Sequence, residues 1–165
     1  MRYILYFLFF IVLISCKVNY GLKGISIPPD AKSISVSFFQ NNAAMASPSE
    51  SQKFTEKMRD MVSSQTNLAL TKQNGDLQFE GAIVDYSVSP VAVQSTDQAA
   101  LNRLTVTINV KYNNTLEQSK SFNQNFQRFY DYPSSKTLSA VESEALDEIN
   151  RQIAEDVFQK AFNNW

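Results

Sequence analysis

Apolar residues recur along this chain with two spacings, and the switches between them divide it into elements. Ile34-Ser35-Val36-Ser37-Phe38 alternates with a period of two and predicts a strand. A loop follows over 41–46. Ser47-Pro48-Ser49-Glu50 then starts a helix: Ser47 caps it, Pro48 suits the first helical position, and Glu50 closes a capping box. Phe54, Met58, Met61 and Val62 follow at helical spacing and give one apolar face, with an end expected near Gln65. Leu68 and Leu70 alternate in a short strand, and Asn74-Gly75-Asp76 signals a turn. A third strand begins at Leu77 and Phe79 and runs through Ile83 to Tyr86 and Val88. Its apolar phase slips between Ile83 and Tyr86, which predicts a bulge near Gly81.

After a loop over 89–102, Leu104, Val106, Ile108, Val110 and Tyr112 form the clearest strand of the chain, with Thr105, Thr107, Asn109 and Lys111 on its other face. Asn113-Asn114 turns it. Phe122 and Phe126 share one face of the next strand, opposite Asn123, Asn125 and Gln127, and Tyr132-Pro133-Ser134-Ser135 ends it. Ser139-Ala140-Val141-Glu142 reads as a second capping box. The last helix carries Ala145, Ile149, Ile153, Val157 and Phe158, then Ala161, Phe162 and Trp165, on or near one stripe. The order βαβββα predicts a single α+β domain: a mixed four- to five-stranded sheet with two helices packed on one face. The first helix joins two parallel strands by a right-handed crossover, and hairpins make the remaining pairs antiparallel.

Upstream the pattern changes. Arg2 precedes an unbroken apolar run, Tyr3 to Ile14, closed by Ser15 and Cys16. The run is short for a membrane span and has the form of a secretory h-region. Leu13-Ile14-Ser15-Cys16 reads as a lipobox, in which a small residue precedes the cut and the thiol accepts a diacylglyceryl thioether. The expected organisation is a lipoprotein signal peptide over 1–15, a lipid anchor and tether over 16–30, and one folded domain over 31–165. Two or more acyl chains on Cys16 give stable membrane anchoring. The bland alternative is an ordinary signal peptide followed by an incidental cysteine. Cys16 is the only cysteine, so neither an intramolecular disulfide nor a multi-cysteine zinc site is available.

Of 165 residues none is histidine, and the formal net charge is −1. The commonest general base and metal ligand is therefore missing, and no basic excess points to nucleic acid. Phosphate loop, dinucleotide fingerprint and nucleophile elbow are all absent. The densest acidic group, Glu142, Glu144, Asp147 and Glu148, falls in the first turns of the last helix, where negative charge complements the dipole; a glycosidase-like carboxylate pair is the sharper reading and the weaker one. No catalytic residue, metal site or cofactor is expected. The unusual feature is the sheet face turned from the helices. Ser33, Ser35 and Ser37, then Thr105, Thr107 and Asn109, then Asn123, Asn125 and Gln127 make it rich in hydrogen-bonding groups and almost uncharged. Such a face is either simply solvated or docks on another wet polar surface, such as the lumen of an outer-membrane β-barrel.

Several segments, specific only in combination, carry a resemblance to a known family. They are Gly75-Asp76-Leu77-Gln78-Phe79-Glu80-Gly81, Tyr86-Ser87-Val88-Ser89-Pro90 with Val91-Ala92-Val93-Gln94, Ala99-Ala100-Leu101-Asn102-Arg103-Leu104-Thr105-Val106, and Lys160-Ala161-Phe162-Asn163-Asn164-Trp165. With the lipobox and the βαβββα order they cover essentially the whole mature chain, which resembles LptE, the lipopolysaccharide-assembly lipoprotein family, in its Bacteroidetes branch. The resemblance implies a plug inside the LptD-type outer-membrane β-barrel, supporting barrel assembly and placing lipopolysaccharide in the outer leaflet. Thr105, Thr107, Asn109, Asn123 and Asn125 become the expected barrel-lumen contacts. Cationic Arg103, Lys111, Lys120, Arg128 and Lys136 are the candidates for lipopolysaccharide phosphates, against a bland reading as solubilising charges. The loop over 89–102 contains no Lys or Arg, unlike the basic loop of studied proteobacterial members. Lys17, Val18 and Asn19 lack the acidic run that resembles a surface-export signal, so the lipid-anchored domain is expected on the outer membrane, facing the periplasm. The competing reading is a stand-alone periplasmic lipoprotein that binds glycan or lipid on the polar face.

Overall fold

The computed structural model describes residues 26–91 and 100–163. The signal segment, Cys16, Trp165, most of the tether and the middle of the 89–102 loop lie outside the described residues. The elements are β1 (Ser33–Val36), β2 (Gln40–Asn41), α1 (Pro48–Gln65), β3 (Ala69–Thr71), β4 (Leu77–Val91), β5 (Leu101–Asn114), β6 (Phe122–Pro133) and α2 (Leu138–Phe162). They form a mixed six-stranded sheet, one more strand than the upper expectation, in the order β3-β1-β4-β5-β6, with two-residue β2 pairing β4. Both helices pack on the same face. The buried set Ile34, Val36, Phe79, Ile83, Val106, Ile108 and Tyr112 of the sheet meets Phe54, Met58 and Val62 of α1 and Ile149, Ile153, Val157 and Phe162 of α2.

The alternation of the first strand breaks earlier than its sequence predicts. β1 ends at Val36, and β2 resumes pairing with β4 one residue out of step, from Ile34↔Leu77 to Gln40↔Ala82. The slip turns Phe38 outward, 57% exposed, and sends Phe39 into the core, edge-on to Phe54 at 4.9 Å. The Phe39 N–H is satisfied by Thr55 Oγ1 at 3.0 Å.

The Asn74-Gly75-Asp76 turn does not make a hairpin. β3 and β4 are both parallel to β1 and flank it, so the chain between them crosses over β1. Gly75 is required there: a β-carbon on it would lie 2.6 Å from the Ser35 backbone nitrogen and 2.7 Å from the Ile34 carbonyl carbon. Asn74 takes the left-handed conformation, φ 56°, that Asn tolerates. Asp76 then clamps the crossing, accepting from Lys32 N–H, Ser33 N–H and Ser33 Oγ at 2.8–2.9 Å. These bonds hold its carboxyl below the usual carboxylate range.

The β4–β5 bulge sits between Ile83 and Asp85, not at Gly81. Gly81 serves a different purpose, since its missing β-carbon leaves room for Phe39 and for the Asn109 carbonyl of β5. The predicted loop over 89–102 is shorter than expected, because β4 runs to Val91 and β5 begins at Leu101.

The first capping box is half formed. Ser47 Oγ accepts from Ser49 N–H at 3.4 Å, but Glu50 turns away from it. The second is not formed: α2 starts at Leu138, Thr137 is its N-cap residue, and its hydroxyl meets the Ser139 hydroxyl at 3.1 Å without capping a backbone N–H. Tertiary contact wins in both places. Glu50 is 1% exposed between the helices and accepts from Asn150 Nδ2 at 2.5 Å, while Glu142 accepts from the Tyr86 hydroxyl at 2.6 Å.

Burial pushes the Glu50 carboxyl above its ordinary 4.5, helped by Glu142 and Asp147 and opposed by the Asn150 bond and Lys53. Its other oxygen and Asn150 Oδ1 lack partners among the described residues. The folded state thus keeps this proton at a pH where the unfolded chain has lost it. This group's contribution therefore falls as pH rises from about 4.5 through the raised value. Glu50→Gln is expected to gain about 1 kcal/mol at pH 7, the low end for an unsatisfied buried group, and to lose that gain toward pH 4.5. Urea unfolding of both proteins across that range checks the sign.

Candidate functional site

With both helices on one side, the opposite face of β4, β5 and β6 is left uncovered by any described element. Its side chains form cross-strand rows fixed by the register: Glu80–Lys111–Asn123, Ala82–Asn109–Asn125, Asp85–Thr107–Gln127, Ser87–Thr105–Phe129 and Ser89–Arg103–Asp131. The five residues expected at the barrel lumen, Thr105, Thr107, Asn109, Asn123 and Asn125, all lie here. Asn109 Nδ2 donates to Asn125 Oδ1 at 2.8 Å, and Gln127 Nε2 donates to Thr107 Oγ1 at 3.2 Å. Thr107 is only 8% exposed, whereas Asn123, Asn125 and Gln127 of the edge strand are open to solvent. The centre of the face is therefore a lattice of neutral donors and acceptors.

Two parts of the expected face differ. Ser33 and Ser35 point to this side but are covered by the chain crossing β1: Ser33 Oγ bonds Asp76, and Ser35 Oγ accepts from Gly75 N–H at 3.3 Å. The face also carries more charge than β5 and β6 alone suggest, because β4 adds Glu80 and Asp85. Those charges are largely matched at the ends. Lys111 pairs with Glu80 at 2.7 Å at one end, and Arg103 makes a bidentate bond to Asp131 at 2.7 and 2.8 Å at the other. The Arg103 guanidinium also stacks 3.6 Å above the exposed Phe129 ring and holds the Asp131 carboxyl below its usual range. β4 contributes this pattern without a strong alternation of its own, since the Ile83/Asp85 slip interrupts it.

The five cationic candidates do not form one patch. Arg103 and Lys111 are at opposite ends of the open face. Arg128 lies on the helix side, bonded to Asp156 of α2 at 2.6 and 2.7 Å. Lys120 pairs with Glu117 at 3.0 Å, beyond the turn after β5. Lys136, between β6 and α2, makes no ion pair among the described residues.

The acidic group of α2 is also engaged. Glu142 meets Tyr86, Glu144 accepts from the Tyr130 hydroxyl at 3.2 Å, and Asp147 lies 3.8 Å from Lys57. Bonds from Arg151 and Gln152 hold Glu148 down at about 2. The contacts of Glu142, Glu144 and Asp147 dock the helix on the sheet and on α1, while Glu148 is held within α2 itself.

A family model described as LptE, lipopolysaccharide-assembly, matches residues 31–161, from just before β1 to the end of α2. No curated protein matches the chain by sequence. Solved structures share the fold. A minor lipoprotein from Acinetobacter baumannii aligns with a TM-score of 0.51 at 10% identity, over 79% of this chain and 91% of that one. The solution structure of an uncharacterised lipoprotein B from Nitrosomonas europaea gives 0.52 at 9% identity, over 86% and 88%. A hypothetical protein from Chlamydia trachomatis gives 0.51 at 9% identity, over 79% and 98%. At these identities the likeness is one of fold alone. The family match spans the whole described domain, and so the chain belongs to the LptE lipopolysaccharide-assembly family, as an envelope lipoprotein of that process.

Proposed function

We propose that this domain plugs and helps assemble the LptD β-barrel translocon, which inserts lipopolysaccharide into the outer leaflet, and that acyl chains on Cys16 hold it to the outer membrane on the periplasmic side. The role is structural and requires no catalysis. The supporting observation is the uncovered face centred on Thr105, Thr107, Asn109, Asn123, Asn125 and Gln127. A barrel lumen is polar and wet, and neutral amides and hydroxyls pair with it directly or through ordered water. The matched ion pairs at either end, Glu80–Lys111 and Arg103–Asp131, let the face enter such a lumen without a strong net charge. Co-purification of the full-length lipoprotein with an outer-membrane barrel tests the reading; a lipoprotein that elutes alone from solubilised outer membranes contradicts it.

Direct contact with lipopolysaccharide is a separate part of the proposal. Arg103, Lys111, Lys120 and Arg128 would have to exchange carboxylate partners for phosphate, whereas Lys136 is available without exchange. Exposed Phe38 beside Gln40, Glu80, Lys111 and Asn123 favours the second reading, an independent glycan-binding lipoprotein, because an aromatic ring among hydrogen-bonding side chains suits a sugar face. Binding of oligosaccharide by the lipoprotein in the absence of any barrel would support that reading instead.

The anchor has its own test. Cys16→Ala is expected to abolish acylation and leave the protein unprocessed or released from the membrane. Undiminished palmitate labelling of the variant would refute the lipobox.

A further inference from the structure

β6 is an edge strand: its inner side pairs with β5, and among the described residues nothing pairs with its outer side. The parity of that edge follows from one bond just past its end. Ser134 N–H donates to Ala100 O at 2.9 Å, one step beyond the Leu101↔Pro133 pair. Antiparallel partners alternate between pairs that exchange both bonds and pairs that exchange none. Even-numbered residues of β6 therefore point their backbone groups at β5, and Asn123, Asn125, Gln127, Phe129 and Asp131 point theirs outward. The same five place their side chains on the open polar face. A partner on that face thus meets the free backbone edge along the same line of residues.

Long free edges are normally blunted by lysine, proline, a bulge or shortness. The far edge of this sheet obeys the rule, since β3 has three residues. β6 does not. Its register with β5 is unbroken from Phe122 to Pro133, it carries no lysine, and its one proline is the last residue. The residues of α2 shown to reach β6 are acidic: Asp156, matched by Arg128, and Glu144, which accepts from the Tyr130 hydroxyl. The helix as a whole carries six acidic and two basic residues, a net −4, with Glu142 and Asp147 turned instead to Tyr86 and Lys57. Pairing with β6 of a second copy would set two such helices side by side, and like charges across an interface disfavour that partner.

We propose that the outer edge of β6 takes up an extended segment of the barrel protein as an added strand, with neutral polar side chains over the open face and basic ones over α2. This rests on the plug reading and specifies how the plug is gripped: main-chain bonds supply affinity and alternate side chains supply selectivity. In the full-length lipoprotein, Asn125→Pro with Gln127→Pro removes two outward N–H groups. It spares the β5 ladder, because proline is tolerated where the N–H faces away from the sheet. Recovery of the barrel is expected to fall roughly tenfold or more, as for two lost hydrogen bonds.

A variant-free measurement guards against misfolding. In wild-type lipoprotein alone, the N–H groups of Asn123, Asn125, Gln127 and Phe129 should exchange freely. In the barrel complex they should be protected, with Gln124 and Phe126 slow in both. A complex whose outward N–H groups still exchange freely overturns the edge proposal and leaves the plug reading standing. Absence of any complex overturns both. Protection in the lipoprotein alone also overturns the proposal. With a dimer's mass it assigns the edge to a second copy; with a monomer's mass it assigns it to the chain's own N-terminal segment.

Discussion

Gly81→Ala should destabilise the domain strongly. The added β-carbon would lie 2.0 Å from the Asn109 carbonyl oxygen and 2.8 Å from Phe39 Cε1. A side-chain clash with Phe39 could be relieved by a rotamer change, but the Asn109 oxygen is backbone of β5. Relief there means parting β4 from β5 in the middle of the longest pairing of the sheet, Leu77↔Asn114 to Val91↔Leu101. Overpacking a core costs typically 1–3 kcal/mol, and a backbone clash belongs at or above the upper end. Against a total stability of about 5–15 kcal/mol, that is a large fraction. The expected readout is a thermal midpoint lower by about 10 °C or more, or loss of the cooperative transition. A midpoint within about 2 °C of wild type would show that the strands do not approach as described here.

Phe54→Ala and Ile153→Ala should each cost roughly 2–5 kcal/mol in denaturant unfolding. Both side chains are fully buried, one on each helix. Phe54 stands edge-on to Phe39, so its loss also strips the partner that holds the β1–β2 slip in place. Ile153 lies in the middle of the buried stripe of α2 that includes Ile149 and Val157. The cavity left in either case is enclosed by rigid elements and has little scope to collapse. A change below about 1 kcal/mol would place that residue outside the core.

The helices, β5, β6 and their facing were legible because period and burial agree there. α1 ends at Gln65 as the apolar spacing predicts, and Leu104 to Tyr112 alternate inward without a break. The sequence misled where a non-local contact overrode a local signal. Phe38 continues the alternation of Ile34 and Val36, yet Phe39 is buried, because the space left by Gly81 lies across the sheet and no local pattern reveals it. Asn74-Gly75-Asp76 has hairpin chemistry but crosses β1, with Gly75 selected for close approach over the Ile34–Ser35 backbone. Glu50 and Glu142 occupy capping-box positions and are taken instead by Asn150 and Tyr86.

The polar face was visible on β5 and β6, where its alternation is clean. Its charged ends were not, since pairing Glu80 with Lys111 and Arg103 with Asp131 requires the register. The same register moved Arg128 to the helix side by strand parity and bound it to Asp156.

If the open face is the partner-facing surface, new charge placed on it should cost binding and not folding, and one paired measurement tests this. Asn125→Glu with Gln127→Glu places two carboxylates at exposed positions of the face, away from the helices, where the β5 neighbours that bond the wild-type amides, Asn109 through Nδ2 and Thr107 through its hydroxyl, can donate to a carboxylate instead. In solvent the change should be tolerated; against a docked surface each new charge would be desolvated without a cationic partner. Circular dichroism of the variant lipoprotein should match wild type, while recovery of the outer-membrane barrel in a pull-down from the same preparation should fall about tenfold or more. A variant that folds normally and recovers the barrel undiminished would contradict the account and leave this face merely solvated.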